Sequence, residues 1–186
     1  MKHLILHPTD LSTTFLEPIY KNLPNATVIT GGKTKAEVID EIETHDHIIM
    51  LGHGSPSGLF AICQYPGLGY ASYLIESSIA NILKQKKQLT TIWCYAQKFV
   101  EATGLPRTYY SNMFCSEVLE CSLMGFEATS EQVEESNWCF SKNLGEHILK
   151  TPTEIHAAMQ NGAYANLAKT NPVAAYNFER LGCVAT

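Results

Sequence analysis

The sequence predicts an α/β fold, a three-layer α/β/α sandwich built on a mainly parallel sheet. Three observations carry this. Short apolar runs at 3–6, 26–30, 48–51 and 89–94 are bounded by Gly, Pro or polar residues, as buried strands are. Segments of helical spacing lie between them. Parallel neighbours need long crossovers, and helical crossovers cover both faces of a sheet. In such sheets ligands bind beyond the carboxyl ends of the strands.

In order, His3 to Leu6 reads as a strand closed by His7-Pro8. Thr9-Asp10-Leu11-Ser12 offers helix caps ahead of Phe15, Leu16, Ile19 and Tyr20, with Pro18 weakening that helix. Ala26 to Thr30 is a strand closed by Gly31-Gly32, Lys33 to Thr44 a helix, and Ile48 to Leu51 the next strand. Gly58 to Ile62 is a short apolar stretch within hairpin reach of it. Gln64 to Tyr70 is a turn-rich loop. Ala71 to Gln85 reads as a helix with Leu74, Ile75, Ile79, Ile82 and Leu83 on one face. Leu89 to Cys94 is a core strand, and Gln97 to Thr103 one or two helical turns stopped by Gly104 and Pro106. Asn112 to Ser116 is read as one more strand, while Ser122 to Phe126 fits strand or helix. Ser130 to Leu149 is a long helix, with Val133, Trp138, Cys139, Leu144 and Ile148 on one side. A helix from Thr151-Pro152 runs towards Leu167. Asn171-Pro172 begins a short turn, and Phe178 to Ala185 holds an edge strand. A chain of 186 residues without repeats or linkers suits one domain.

The formal net charge of −5 argues against a nucleic-acid partner, which needs a basic patch. The run Lys84-Gln85-Lys86-Lys87 reads as a solvated helix end. No apolar run approaches the roughly 20 residues of a membrane span, and the N-terminus has too short an apolar run for a signal peptide. No membrane partner and a cytoplasmic location are therefore expected. The six cysteines form no C-x-x-C pair, and no metal or other cofactor is expected. Five of them are expected to be small buried hydrophobes. His45 and His47 alternate as on one strand face, yet no other ligands converge on them. Gly31-Gly32-Lys33-Thr34 lacks the first glycine of a phosphate loop, where Thr27 stands.

The stretch His47 to Phe60 carries the chemistry. His53 follows the end of its strand, between Gly52 and Gly54, and glycine allows a sharp turn with an accessible N–H. The next core strand, one crossover later, ends in Cys94. If the strands are adjacent and parallel, both side chains lie at one sheet edge. There a histidine moves protons and an ionised cysteine acts as nucleophile. The Gly54 and Cys94 amides are the expected oxyanion donors. As nucleophile, Cys94 is expected to alkylate faster than the other cysteines.

Two strands carry a family likeness: Ile48-Ile49-Met50-Leu51-Gly52-His53-Gly54, and, about 40 residues later, Leu89-Thr90-Thr91-Ile92-Trp93-Cys94. The pattern resembles the caspase-like cysteine peptidases of clan CD, among them gingipains, clostripain, legumain and separase, over roughly residues 26–117. The resemblance implies a single caspase-like domain over 1–186 and a cysteine endopeptidase acting on a peptide or protein substrate. It implies Cys94 as nucleophile and His53 as catalytic histidine, assisting the leaving group with no third residue required. The family's next strand helps build the pocket for the residue before the scissile bond. Phe114-Cys115-Ser116-Glu117 is read as that strand, with Glu117 favouring a basic residue and Glu120 and Asp46 as further candidates. Maturation by cleavage would fall near residues 101–110, with Lys98 and Arg107 as cut sites. The caspase pattern Gln-Ala-Cys-x-Gly is absent; Ile92-Trp93-Cys94-Tyr95-Ala96 stands instead. The alternative is an inactive regulatory or protein-binding module on a flavodoxin-like core, with Tyr65, Tyr70 and Tyr73 as contacts.

Overall fold

The computed structural model describes residues 1–186. The strands are β1 (His3–Leu6), β2 (Thr27–Ile29), β3 (His47–Leu51), β4 (Gly54–Ser55), β5 (Gly58–Phe60), β6 (Tyr73–Glu76), β7 (Gln88–Ile92), β8 (Thr108–Ser111) and β9 (Leu181–Val184). Six of them form the central sheet in the order β2-β1-β3-β7-β8-β9, parallel except for β9 at one edge. The remaining three make a small antiparallel sheet, β4-β5-β6. The helices are α1 (Lys35–Thr44), α2 (Ala80–Leu83), α3 (Ala96–Thr103), α4 (Val118–Leu123), α5 (Ser130–His147), α6 (Pro152–Asn161), α7 (Ala163–Leu167) and α8 (Pro172–Phe178). No helix is long and apolar enough to cross a membrane.

Strand period explains the three layers. Along β1 and β3, Leu4, Leu6, Ile48 and Met50 point into one core, and Ile5, Ile49 and Leu51 into the other. The first core is closed by α1, α2, α3 and the small sheet. The second is closed by a 3-10 helix at Thr14–Ile19 and by α5 to α8. Both faces are buried, so these strands read as unbroken apolar runs. The sequence marks helix α1 at its start, where Thr34 and Glu37 exchange hydrogen bonds as a capping box.

Several expected elements differ. The segment expected as one helix from Ala71 to Gln85 is β6, a 3-10 turn and the four-residue α2. Leu59 pairs with Ile75 and Gly58 with Glu76, so strand pairing overrides the helical spacing of the same apolar residues. The strand expected at Asn112–Ser116 lies earlier, as β8. Its sequence Thr-Tyr-Tyr-Ser is β-prone but carries a hydroxyl at every position, which hid it from an apolar-run reading. Residues 112–117 form a loop, so Glu117 does not end a strand. The stretch around Glu101–Tyr110, expected as a cleavable connection, holds the end of α3 and most of β8. Lys98 lies inside α3, and the Arg107 guanidinium donates to the carbonyls of Lys84 and Lys86. On α5 the core side is Val133, Ser136, Asn137, Phe140, Ser141 and Leu144, while Trp138 faces solvent. Small polar residues are accommodated there by partners such as Tyr164, whose hydroxyl bonds Ser136 Oγ at 3.1 Å. The expected helix from Thr151 to Leu167 breaks at Gly162 into α6 and α7. The short turn expected at Asn171-Pro172 opens α8.

Candidate active site

Strands β3 and β7 are parallel neighbours whose last registered pair is Leu51 and Ile92. The Gly52 amide donates to the Ile92 carbonyl at 3.1 Å, so pairing continues past the strand ends. His53 and Cys94 each stand two residues beyond that pair, at the carboxyl edge of the sheet. Both line one small cleft of about 30 Å3, with Gly52, Trp93, Phe114 and Ser116 around them. No hydrogen bond joins the two side chains. Two larger grooves, of about 500 and 480 Å3, lie elsewhere, one among α6, α7 and α8 and one beside the end of α5.

Trp93 holds the two halves of this edge together. Its indole Nε1 donates to the Ser55 carbonyl at 3.1 Å, tying the strand end that carries Cys94 to the hairpin that follows His53. Its own backbone is clamped by Ser111, whose Oγ accepts from the Trp93 amide at 3.1 Å and donates to the Trp93 carbonyl at 2.9 Å. The indole lies against Gly54. A Cβ at that position would collide with the ring and stand 2.6 Å from the Gly58 carbonyl. Gly54 is therefore required by close approach to Trp93.

His53 is oriented from the loop after β1. Its Nε2 lies 3.1 Å from Asp10 Oδ2 and 2.9 Å from Ser12 Oγ. Ser12 Oγ donates to Asp10 Oδ1 at 2.8 Å and the Ser12 amide to the same oxygen at 3.0 Å. A carboxylate only accepts, so the proton on this side of the ring sits on Nε2, leaving Nδ1 as the unprotonated nitrogen of the neutral ring. Burial opposes ionisation of Asp10, but hydrogen bonds from the Ser12 hydroxyl and amide and from Thr13, with the attraction of the His53 ring, outweigh it. The carboxyl lies below its ordinary value. Tyr70 leans over the histidine, with ring centroids 6.5 Å apart. Sequence reasoning took Asp10 and Ser12 for helix caps and missed this contact. The available signal was topological: β1 is the other parallel neighbour of β3, so the loop at its carboxyl end falls beside His53.

Cys94 is held less openly. Its Sγ donates to the Phe114 carbonyl at 3.5 Å. Burial pushes the thiol up to about 11, and the nearby Glu120 charge acts in the same direction. The Cys94 amide makes no hydrogen bond within the protein. The next residue, Tyr95, takes a left-handed conformation at φ 65° and turns the chain directly into α3. Such a backbone at a non-glycine residue stores strain, of order 1–2 kcal/mol. Cys63, expected as a buried hydrophobe, is exposed, so it competes for a reagent with the less open Cys94. Cys115 and Cys121 are buried, and Cys139 and Cys183 are half-buried.

The acidic candidates separate. Glu120 lines the cleft with His53 and Cys94; its Oε2 accepts from the Ser116 amide at 2.7 Å and the Glu117 amide at 3.2 Å. Glu117 is exposed at the start of α4 and lines the adjoining groove instead. Asp46 lies at the opposite, amino edge, where Oδ2 accepts from the Lys2 amide at 2.9 Å and Oδ1 pairs with Lys87 at 3.0 Å. Those partners lower its carboxyl to about 2. His45 ends α1 and does not share a strand face with His47, which opens β3 and meets His3 at 3.2 Å, Nδ1 to Nδ1. Both are remote from His53, and no group of three metal-ligating side chains exists. Comparison with known proteins finds no matching family model, no similar curated sequence and no similar solved structure, so this edge of the sheet is interpreted from its own chemistry.

Proposed function

We propose that the chain is a caspase-like cysteine endopeptidase acting through Cys94 and His53. One observation carries the reading: the two residues follow equivalent points of adjacent parallel strands and line the same cleft. In this mechanism Cys94 Sγ attacks the scissile carbonyl carbon. The thiol proton passes to His53, which delivers it to the leaving amine. The oxyanion is met by the unengaged Cys94 amide and by Gly54 at the hairpin entrance. Water then hydrolyses the thioester. Asp10, which the family resemblance does not call for, holds the histidine in the tautomer with Nδ1 free to accept.

A second reading, a catalytically inactive protein-binding module, is favoured by a different observation. The thiol is buried, is pushed up to about 11 and faces a cleft of about 30 Å3. Activity then requires Phe114 and the Thr13–Leu16 segment to move apart when substrate binds, since apo geometry is often tighter or looser than the working geometry. The deciding experiment is hydrolysis of a mixed peptide library by the wild type and by Cys94→Ala. The peptidase reading expects cleavage that falls by about 1,000-fold or more in the variant, with an unchanged circular dichroism spectrum. No cleavage by the wild type, or equal cleavage by both, rejects it in favour of the binding module.

A further inference from the structure

We infer that the outward face of α4 is a docking surface for a basic amphipathic helix of a partner protein. The inference stands apart from the peptidase reading. Helix α4 is turned inside out. Its one buried side chain is Cys121, while Val118, Leu119 and Leu123 are 37%, 67% and 71% exposed. Positions 118, 119, 122 and 123 share the side of the helix opposite Cys121, and Ser122 is the only polar residue among them. A surface helix ordinarily does the reverse and buries its apolar stripe. Met124, 36% exposed, extends the patch at the end of the helix. Leu11, 95% exposed, borders one groove together with Val118. Four of the ten exposed large apolar side chains of the chain thus fall within residues 118–124. Scattered exposure needs no partner, but a concentration of this kind marks an interaction site. Leu119 and Leu123, spaced i, i+4, form a ridge that fits the groove of a second helix.

The charge around this ridge selects the occupant. Residues 108–141 hold six of the chain's 18 acidic residues and none of its 13 lysines and arginines. Glu117, Glu127, Glu131, Glu134 and Glu135 are exposed, and none of them is in an ion pair. Glu117 and Glu134 border the same groove as Leu11 and Val118. Arg180, which lies over the Tyr176 ring stacked on Phe126, is already paired with Glu179 at 3.7 Å. A second copy meeting this face through its own α4 sets acid against acid, and an anionic lipid surface is repelled in the same way. A helix with leucine-like residues along one side and lysine or arginine beside them answers both the ridge and the charge. The Cys94 cleft is lined by Glu120, which points away from this face of α4. The docked helix is therefore a partner and not the cleaved segment.

The test titrates three designed helical peptides into the 15N-labelled full chain: a leucine–lysine amphipathic helix, its leucine–glutamate counterpart, and an alanine–lysine helix of the same charge. The leucine–lysine helix should bind and shift the backbone amides of α4 and of the first turns of α5. The alanine–lysine helix should bind about tenfold more weakly or less, and the leucine–glutamate helix not at all. The double change Leu119→Ser and Leu123→Ser lies on the surface and should leave the circular dichroism spectrum unchanged. It should weaken binding of the leucine–lysine helix about tenfold or more. Equal binding of the two lysine helices, or equal binding by wild type and double variant, reduces the contact to charge alone and overturns the docking surface. So do shifts confined to another surface, or no binding. Two further measurements discriminate other occupants. Binding to phosphatidylglycerol vesicles that the double variant loses assigns the face to lipid, and a concentration-dependent dimer that the double variant loses assigns it to a second copy. Either result also overturns the inference.

Discussion

At the scale of single residues, the pairing of His53 with Asp10 changes what the site can do. A histidine held by a carboxylate has a restrained ring and a fixed tautomer, which leaves Nδ1 as its free nitrogen. Asp10→Asn keeps the shape but removes the charged acceptor. It should lower kcat about 10- to 100-fold while leaving KM near its starting value. Steady-state kinetics on a cleaved library peptide decides this, and an unchanged kcat removes Asp10 from the mechanism. That His53 and Cys94 lie at one sheet edge was legible in the sequence because each follows a recognisable apolar strand, and ligands bind beyond the ends of such strands. Asp10 was not legible, because its partner is 43 residues away and its local bonds to Ser12 are those of an ordinary turn.

At the scale of elements, the site depends on how the β4–β5 hairpin docks against the end of β7. Gly54 and Trp93 are the contact, and Trp93 Nε1 is its hydrogen bond. Gly54→Ala forces an added methyl into the indole and the Gly58 carbonyl, and overpacking of this kind costs about 1–3 kcal/mol. Urea unfolding should show that loss. A variant as stable as the wild type means that the hairpin shifts freely and does not fix His53. The main sheet was largely foreseen, since β1, β2, β3, β7 and β9 are apolar or β-branched runs. The small sheet was foreseen only as a hairpin. Its third strand reads locally as helix, and only long-range pairing with β5 decides otherwise. Strand β8 escaped because Thr108, Tyr109 and Ser111 are buried with their hydroxyls, and composition does not distinguish such a strand from a polar loop.

At the scale of the whole molecule, the sheet carries buried histidines at both edges, and they set its response to acid. His47 is fully buried at the amino edge, and burial with the neighbouring His3 lowers its pKa to about 3. His7, buried beyond the carboxyl end of β1 and bonded to the Tyr20 hydroxyl at 3.0 Å, is lowered to about 4 by burial. Both groups ordinarily titrate near 6.5. The unfolded chain therefore binds more protons than the fold between that value and the lowered ones. Stability from these histidines is fully present above pH 6.5 and is lost as pH falls towards 4 and then 3. Each tenfold weakening of a ring's hold on its proton is worth about 1.4 kcal/mol. Urea midpoints measured from pH 7 to pH 4 should fall steadily, and His7→Phe should flatten part of that slope. A profile independent of pH over this range means the two rings are protonated inside the fold. The joint at Trp93 has one more consequence, an optical one. The chain has two tryptophans, one sealed between hairpin and sheet and the other, Trp138, lying open on α5 beneath the Lys142 ammonium. With Trp138→Phe, the remaining emission comes from the seam that joins the His53 and Cys94 halves of the site. Its colour and quenching then report, during refolding or on addition of a peptide, whether those halves are locked together or have come apart.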